Sequence, residues 1–470
     1  MCRLPVFAIA GLFCVLGQAA PAPSGVCSVR QYGAVGDGKT LDTAAFRNAI
    51  TACTKAGGGE VLVPPGRYLT GTIRLASNIT LQLDAGAEII GTSDLTQYEA
   101  YDPTGVSTSP MSASPWFRAL VLGSNVENVT IAGHGAINGN KVFDAEGEEH
   151  MRGPHGIIFG NSHNIHLRDV SIRDAANYAV LLMYTSDVEV RGVKVTGGWD
   201  GIHFRGWKDK PCRNVTITDS EFYTGDDSIA GWYWENAVIA HCILNSSCNG
   251  IRLIGPAKGL IVNDCLFFGP GRFEHRTSRE KHRTNMLAGI LLQPGAWDRT
   301  EGRLDDVQIS NVTLHDVTTP FSLTLTPGNT AGRIEVNGMT ATGAYRAPVS
   351  IESWAEEPVE SVTLRGLNLE FTGGGTAAPA VVRKPGVDAR ELPVWGVYAH
   401  KVKSLALQDV RLNTLQPDGR PALLLDGVEH VELDNVRTPP SSVLAVSGVR
   451  ELNLRATDLK ATIGDAPAKQ

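Results

Sequence analysis

The chain has 470 residues, of which 42% are hydrophobic and 19% charged, so it can form one large globular domain or two to three smaller ones. Its net charge of -7 argues against non-specific binding of nucleic acids. The 51 glycines and the aromatic content of only 7% favour many short strands joined by tight turns.

The N-terminus has the pattern of a secretory signal. In MCRLPVFAIAGLFCVLGQAAPAPSG, one arginine precedes an apolar run, which is followed by small residues and a proline-rich segment. This pattern predicts a signal peptide at residues 1–20, with cleavage near Ala19 or Ala20. A membrane anchor is the alternative, but the apolar run is short for a span. We therefore expect a secreted or periplasmic protein without membrane contact after the signal is removed.

Six of the eight cysteines follow this signal, and export would permit disulfide bonds between them. Cys27 and Cys53 are placed to tie the first strand to a helix. Cys242 and Cys265 occupy equivalent places in VIAHCIL and LIVNDCL and are expected to be neighbours, bonded or not. No pair has the spacing of zinc ligands, so we expect no metal site and no cofactor.

A short phrase recurs along the chain, in which a turn residue precedes alternating apolar positions. From Asn164 onward, its successive steps are 23, 27, 22 and 23 residues. A period in the twenties built from short strands is typical of a β-solenoid, whereas a propeller blade needs nearly twice that length and a sandwich needs no such period. We predict an all-β protein, a right-handed parallel β-helix. The phrase begins at Asn128, Asn164, Asp187, Asn214, Asn236, Gly259 and Asp306, and more loosely at Ser361, Ser404 and His430.

Residues 41–56, LDTAAFRNAITACTKA, have the apolar spacing of an amphipathic helix, and three glycines follow them. Such a helix can cover the open apolar end of a solenoid. No clear linker follows the signal. We therefore predict that residues 21–470 form a single parallel β-helix catalytic domain with a short N-terminal capping helix, and that the protein is a monomer.

Three aspartates are the candidate catalytic residues: Asp200 in GWDGIHF, and Asp226 and Asp227 in TGDDSIA. They stand at corresponding points of adjacent repeats, so the solenoid is expected to stack them. Inverting hydrolysis of a glycoside needs one acid and one carboxylate that activates water, typically about 6.5–9.5 Å apart. Clustered carboxylates repel one another, so one can keep its proton near neutral pH. Local turn capping and a bound cation, as in calcium-dependent lyases, are the alternatives.

Strand alternation indicates which neighbours face the same groove. The segments WDGIHFRG, GDDSIAGW, CNGIRLIG and AGILLQPG align as four successive turns of one sheet, with Ile202 and Phe204 pointing inward. The insertion at residues 271–285, rich in arginine, is expected to fold over the groove or to be a solvated loop. Tryptophans near the aspartates can stack on sugar rings. The candidate substrate-binding residues are Trp199, His203, Arg205, Trp232, Asn249, Arg252, Leu291 and Gln293.

Two segments resemble a known family. The opening that starts YGAVGDGKTLDTAAF, and NVTIAGHGAINGN at 128–140, are similar to polygalacturonase-like enzymes of glycoside hydrolase family 28. The resemblance runs from about residue 28 to about residue 340. The family's Gly-Asp-Asp matches Gly225, Asp226 and Asp227, and only Asp200 matches its Asn-Thr-Asp. The resemblance implies inverting hydrolysis, with Asp226 as the general acid and Asp200 and Asp227 positioning and deprotonating water.

The chain also departs from the family at two motifs. Gly-His-Gly is replaced by Cys248-Asn249-Gly250, and Arg-Ile-Lys by Leu291-Leu292-Gln293. In polygalacturonases the lost cations bind the uronate carboxylate. Either the substrate is a different sugar and Leu291 forms an apolar wall, or cations come from elsewhere, such as Arg205, Arg252 and the 271–285 insertion.

The predicted function is an exported O-glycoside hydrolase that cleaves a pectin-like plant cell-wall polysaccharide or its oligosaccharides. A closed pocket, with residues 99–118 and 271–285 as its walls, would favour exo action over endo action. A β-helix lyase or epimerase and a non-catalytic carbohydrate-binding β-helix are the alternatives.

Overall fold

The computed structural model describes residues 25–103, 115–275, 282–377, 381–464 and 467–469. Within them the chain winds into a right-handed parallel β-helix, as the repeat predicted. Strands of successive turns pair in parallel and form three long sheets that enclose one apolar core. The predicted signal at residues 1–20 lies outside the described residues. No helix in the described part is long and apolar enough to cross a membrane.

The sheet that carries the candidate site, called the site sheet below, contains Ile73–Arg74, Ala119–Ser124, His155–Gly160, Val180–Met183, Ile202–Arg205, Ile229–Trp232, Asn249–Leu253, Met286–Leu292, Val317–Leu325, Val349–Ser353, Val443–Ser447 and Lys460–Ile463. The second sheet contains Val26–Ser28, Gly59–Val63, Ile79–Leu83, Glu127–Gly133, His163–Arg168, Ser186–Arg191, Cys212–Thr218, Trp234–Ala240, Ala257–Asn263, Asn329–Ala331, Val359–Arg365 and Glu451–Arg455.

The third sheet contains Asp37–Leu41, Gly66–Thr70, Ala87–Gly91, Ala136–Asn138, Ser171–Arg173, Lys194–Thr196, Glu221–Thr224, Ile243–Ser246, Leu266–Phe268 and Asn368–Gly373. Four long strands continue around corners between sheets, namely Gly302–His315, Arg333–Ala344, Val397–Gln416 and Leu423–Arg437. Short 3-10 helices lie at Val29–Tyr32, Leu95–Gln97, Pro115–Phe117 and Glu148–His150.

The register of the site sheet follows the predicted alignment of its segments. Ile202 pairs with Ile229, Ile229 with Ile251, and Ile251 with Ile290. All four side chains are fully buried in the core. Each contributes about 1.5–3 kcal/mol by leaving water, and a slip of one residue would turn the whole column outward. The isoleucine column therefore fixes which residues of these strands face the solvent side.

The recurrent turn residue is explained by its backbone conformation. Asn128, Asn164, Asp187, Asn214 and Asn236 all have φ between 54° and 56°, in the left-handed region that Asn and Asp tolerate better than most residues. Their side chains form a ladder between turns, in which, for example, the Asn214 amide donates to Asp187 Oδ1 at 2.8 Å. The same residue type thus turns the chain and joins neighbouring coils.

The N-terminal end of the core is covered as predicted. A helix at Thr43–Lys55 buries Phe46, Ala49, Ile50 and Cys53 against the first turns. Cys27 and Cys53 form the expected disulfide, which ties the first strand to this helix. Cys242 and Cys265 lie on adjacent turns as buried free thiols.

One long excursion covers part of the site sheet. Residues 381–394, called the strap below, connect the third sheet to the strand Val397–Gln416 and lie across outward-facing side chains. Val381–Val382 pairs with Ala468–Lys469 in a separate two-stranded sheet. Arg390 holds the strap down, because its two terminal nitrogens bond both carboxylate oxygens of the fully buried Glu352 at 3.0 and 2.6 Å.

Candidate active site

The solenoid brings the three predicted aspartates together. Asp200 stands two residues before Ile202, and Asp227 stands two residues before Ile229, which pairs with Ile202 on the adjacent turn. The two aspartates therefore occupy equivalent places. Asp226 directly precedes Asp227. One carboxylate oxygen from each lies within 4.8 Å of the others. Their exposed fractions are only 3%, 9% and 4% for Asp200, Asp226 and Asp227. Such packing makes their protonation interdependent.

This spacing is shorter than the separation of about 6.5–9.5 Å that the sequence led us to expect for an inverting pair. The nearest oxygens of any two carboxyl groups are too close for that expectation to hold. The separation of the carboxylates therefore does not indicate the stereochemistry of hydrolysis, which rests on the family resemblance alone.

Asp226 is held as an anion by cations around it. Burial raises its pKa, but the His275 imidazole, with Nε2 3.5 Å from Oδ1, and the guanidinium groups of Arg152 and Arg252 lower it more. Arg152 Nη2 lies 3.7 Å from Asp226 Oδ2. The pKa of Asp226 is consequently well below its usual range.

Asp227 is shifted the other way. Burial raises its pKa to about 6, in opposition to the nearby charge of Arg252, and the negative charge of Asp226 adds to the increase. Asn249 limits the shift, because its backbone N–H and its side-chain amide both donate to Asp227 Oδ1, at 3.1 and 2.7 Å. Asn249, which replaces the family histidine, therefore contacts a catalytic candidate directly.

Asp200 shares a short hydrogen bond of 2.6 Å with His203 Nδ1. Burial and the charges of Asp226 and Asp227 raise the pKa of Asp200 well above its ordinary value. Burial and the nearby Arg205 and Arg152 lower the pKa of His203, so its ring is neutral. The ring stacks on Tyr178, with centroids 4.5 Å apart and an interplanar angle of 4°.

These pKa shifts differ from what the family resemblance implies, in which Asp226 carries the proton of the general acid. Asp200 and Asp227 hold protons most strongly, whereas Asp226, the predicted general acid, is the carboxylate that is most easily ionised. The assignment of Asp226 as acid stays a prediction, and it requires that substrate binding raises the pKa of that group.

Four arginines line the cavity above the aspartates: Arg152, Arg205, Arg252 and Arg283. Arg252 donates to Gln293 Oε1 at 3.1 Å and to the Val387 carbonyl of the strap at 2.8 Å, and its Nη1 is 3.6 Å from Asp227 Oδ2. Arg205 lies between two rings, 4.4 Å from the centre of Trp116 and 4.9 Å from that of Trp232. Four arginines from other positions thus line the cavity, although the cations of the family motif are absent.

The cavity has a volume of about 270 Å³ and is enclosed by loops from several turns. Two described residues of the predicted wall at 271–285, His275 and Arg283, pair by a backbone bridge and line the cavity. Residues 276–281 of that insertion, and 104–114 of the other predicted wall, lie outside the described residues. The lining residues are Glu148, Glu149, Arg152, Tyr178, Asp200, His203, Arg205, Asp226, Asp227, Trp232, Cys248, Arg252, Ile254, His275, Arg283, Trp297, Val387 and Asp388.

Four of the predicted substrate-binding residues do not line this cavity, namely Trp199, Asn249, Leu291 and Gln293. Leu291 and Gln293 face outward in the predicted register, but the strap covers them, and they are only 1% and 2% exposed. Trp199 is 1% exposed and packs behind Arg152, whose guanidinium carbon is 5.4 Å from its ring centre. The expectations of an apolar Leu291 wall and of a Trp199 platform were therefore wrong, because a later loop and a neighbouring arginine occupy those positions.

Sequence reasoning missed several residues that line the cavity, among them Arg152, Tyr178, His275 and Trp297. Each comes from a turn or loop outside the aligned strand segments, so periodicity gives no signal for it. Of these, only His275 could have been suspected from the sequence, because it lies in the insertion that was expected to fold over the groove.

The chain is similar in sequence to several known proteins. The family described as "Rhamnogalacturonase A/epimerase, pectate lyase-like" matches residues 26–252. The "Exopolygalacturonase clone GBGE184" of Arabidopsis thaliana is 24% identical over 372 residues, which are 74% of this chain and 80% of that protein. The "Exo-poly-alpha-D-galacturonosidase" of Dickeya chrysanthemi is 28% identical over 257 residues, or 43% of this chain and 41% of that protein. The chain thus spans less than half of some of its relatives.

Solved structures share the fold. The family 28 exopolygalacturonase of Yersinia enterocolitica superimposes with a TM-score of 0.54 and 16% identity, covering 94% of this chain and 77% of that one. The polygalacturonase of Erwinia carotovora gives a TM-score of 0.54 and 17% identity over 75% of this chain and 96% of that one. In its sequence relatives, its β-helix and its Gly-Asp-Asp motif, the chain is similar to polygalacturonases, and it shares their fold.

Proposed function

We propose that this protein is an exported, exo-acting glycoside hydrolase that releases acidic sugar units from the end of a pectin-type polysaccharide or its oligosaccharides. The observation that carries this proposal is the cluster of Asp200, Asp226 and Asp227 at the base of a walled cavity rich in arginine. The names of its relatives, among them exopolygalacturonases of Arabidopsis thaliana and Zea mays, support the same reaction class.

The charge of the cavity supports an acidic sugar over a neutral one. Arg152, Arg205, Arg252 and Arg283 line the space above the aspartates, and Arg152 and Arg252 are almost fully buried. A guanidinium group can bind a carboxylate through two parallel hydrogen bonds, which a neutral hydroxymethyl group cannot replace. The lost family cations are thus compensated, and a uronate remains a suitable substrate.

The shape of the cavity supports exo action. The strap closes one side through Val387 and Asp388, and the insertion closes another through Arg283, whose Nη1 is 3.7 Å from Asp388 Oδ2. The cavity volume of about 270 Å³ is slightly smaller than the ~300–1,000 Å³ that is typical of small-ligand pockets. Such a space suits the terminal sugars of a chain better than a polymer threaded through it.

The proposed mechanism couples substrate binding to protonation of Asp226. In the free protein, Arg152 and His275 keep this carboxyl group ionised. A uronate that binds Arg152 competes with Asp226 for that cation, so the pKa of Asp226 rises and the group takes a proton from the neighbouring cluster. Asp226 then protonates the leaving oxygen, and Asp227 and Asp200 position and deprotonate the attacking water.

The test uses oligogalacturonides of defined length and their fully methyl-esterified counterparts, in which an uncharged methyl ester replaces each carboxylate. We expect monomer as the first and only early product, inverted anomeric configuration by NMR, and a strong preference for the free acid. Products with an unsaturated ring would instead identify a lyase. Binding without any product release would identify a non-catalytic protein, as the similarity to a pneumococcal surface adhesin allows, with TM-score 0.52 and 17% identity.

Export has its own test. The chain is expressed with its N-terminus intact in a secreting host, and the mature N-terminus is determined by mass spectrometry. We expect processing near Ala19 or Ala20. Retention of the whole N-terminus in a cell-associated protein would contradict the export proposal without affecting the hydrolase proposal.

A further inference from the structure

We propose that Asp226, Cys248 and His275 form a binding site for a thiophilic divalent metal ion such as Zn²⁺, and that the bound ion blocks the catalytic cluster. One donor atom from each residue lies within 4.8 Å of the others. All three side chains line the cavity, and their residues are 9%, 1% and 6% exposed, respectively. The metal site stands independently of hydrolysis, whereas the blocking effect rests on the proposed function.

The set of donors selects the class of metal. A thiolate, an imidazole and a carboxylate are the common ligands of zinc, while calcium and magnesium prefer oxygen alone. Two protein charges, from the thiolate and the carboxylate, would balance the charge of the ion, and the thiol proton would be released to solvent. Three protein ligands beside an open cavity leave a fourth position for water, the usual arrangement of accessible zinc sites.

The distances suit a tetrahedral ion with little movement. His275 Nε2 and Asp226 Oδ1 are 3.5 Å apart. Ligands at the usual Zn–N and Zn–O distances of about 2.0–2.2 Å are separated by about 3.4 Å across a tetrahedral angle. This pair is thus already at the separation that the ion requires, and only the sulfur of Cys248 needs to approach.

Two hydrogen-bond donors point at the sulfur of Cys248. The Asn249 amide and the Arg283 guanidinium both donate toward Cys248 Sγ, at 3.3 and 3.4 Å. Donors to a metal-bound sulfur act as outer-shell partners that orient the ligand and stabilise its charge. Repulsion between the ion and Arg152 is opposed by the Asp200 and Asp227 oxygens, which lie within 4.8 Å of Asp226.

Two of the three ligands come from segments that depart from the pattern of the family that the sequence resembles. Cys248 stands in the Cys248-Asn249-Gly250 segment where the related family has Gly-His-Gly, and His275 comes from the 271–285 insertion. The spacing of cysteines along the sequence does not reveal this site, because Cys248 is 22 residues from Asp226 and 27 residues from His275. It would regulate the enzyme, since an ion on Asp226 removes the proposed acid.

The experiment titrates the full, chelator-treated protein with Co²⁺ and Zn²⁺. We expect one Co²⁺ per chain with a thiolate-to-cobalt charge-transfer band, which Zn²⁺ displaces. In Cys248→Ser the band disappears and Zn²⁺ affinity falls about 100-fold or more, since even outer-shell partners are worth about 10–100-fold. His275→Asn weakens binding without removing a thiol. Cys212→Ser, which changes a buried cysteine outside the cavity, is the matched control and keeps the band.

Thermal unfolding without metal shows whether each variant folds, and Cys248→Ala serves as a second variant if Cys248→Ser does not. Absence of stoichiometric Co²⁺ binding, or unchanged binding in both Cys248 variants, would overturn the proposal. Zn²⁺ inhibition of sugar release that is relieved in Cys248→Ser would confirm the blocking effect. Metal binding in a protein that releases no sugar would instead disprove the proposed hydrolase function and leave the metal site standing.

Discussion

Asp226 and Asp227 are adjacent in the sequence, yet their surroundings shift their pKa values in opposite directions. Asp226 faces the Arg152 guanidinium and the His275 imidazole, whereas Asp227 lies deeper and is bonded by the neutral Asn249. Carboxyl groups with separated pKa values are what acid–base catalysis of glycoside hydrolysis requires. At this scale the identity of each neighbour decides the protonation of the site.

Replacing Asp226 tests which carboxyl group is the acid. Asp226→Asn should lower kcat on oligogalacturonides by about 10²–10⁴-fold, since that is the usual contribution of a general acid. A nitrophenyl glycoside needs little protonation of its leaving group, so it should recover most of the lost rate in this variant. Asp227→Asn is the comparison and should not recover. If Asp227→Asn recovers instead, Asp227 is the acid.

Replacing Asn249 tests the pKa of Asp227. The Asn249 amide stabilises the charged carboxylate, so Asn249→Ala should raise the pKa of Asp227 above about 6. The limb of the kcat/KM profile near pH 6 should therefore move to higher pH. Asn413→Ala, an exposed change on the third sheet, should leave the profile unchanged. A shift to lower pH would show that Asn249 does not stabilise this anion.

The raised pKa of Asp227 also makes the stability of the folded protein depend on pH. Because the folded pKa of Asp227 is raised, its contribution to stability is fully present below the unfolded value of about 3.9 and is lost as pH rises through about 6. At neutral pH the ionised Asp227 therefore destabilises the folded protein, as groups at functional sites commonly do.

At the scale of the element, one coil of the solenoid is a set of short strands joined by turns with a recurrent backbone conformation. The turn residue has positive φ, the strands alternate inward and outward, and the side-chain ladder ties one coil to the next. Local turn chemistry and long-range pairing therefore support the same register.

Asn214 is the position for testing this arrangement. Its φ is 55°, and its side chain donates to Asp187 and accepts from Asn236. Asn214→Ala should lower the free energy of unfolding by about 1–2 kcal/mol, because it combines a strained backbone with lost ladder bonds. Asn214→Gly loses the bonds without the strain, so it should cost about half as much in urea denaturation. Equal losses in both variants would show that backbone strain contributes nothing.

At the scale of the whole molecule, the open end of the core and the length of the excursions matter most. The helix Thr43–Lys55 covers the first turn, and the Cys27–Cys53 disulfide closes a loop at that end. The strap and the 271–285 insertion come from distant parts of the chain and meet through Arg283 and Asp388. The solenoid supplies rigid strands, and the excursions turn its groove into a pocket.

Removing the disulfide tests the N-terminal cap. The double variant Cys27→Ser/Cys53→Ser should lose about 3 kcal/mol of stability, as expected for a closed loop with a sequence separation of 26 residues. Urea denaturation followed by circular dichroism measures the loss. Reducing agent should lower the stability of the unmodified protein by a similar amount and leave the double variant unchanged. A reductant effect in the variant would point to another bond.

The sequence by itself determined the parallel β-helix, its capping helix and the alignment of the aspartate strands. These follow from local signals, because the turn residue, the alternation and the repeat length recur from coil to coil along much of the chain. The same signals placed His203, Arg205 and Arg252 on the face of the aspartates, and the structure agrees.

Only the tertiary structure decided what surrounds the aspartates. Arg152 and His275 reach Asp226 from loops, and the strap hides Leu291 and Gln293 although their register was predicted correctly. The physical reason is that a repeat fixes the path of the coil, whereas an excursion between repeats has no period. Its final position depends on contacts with residues far away along the chain, such as the bond from Arg252 to Val387, with a separation of 135 residues.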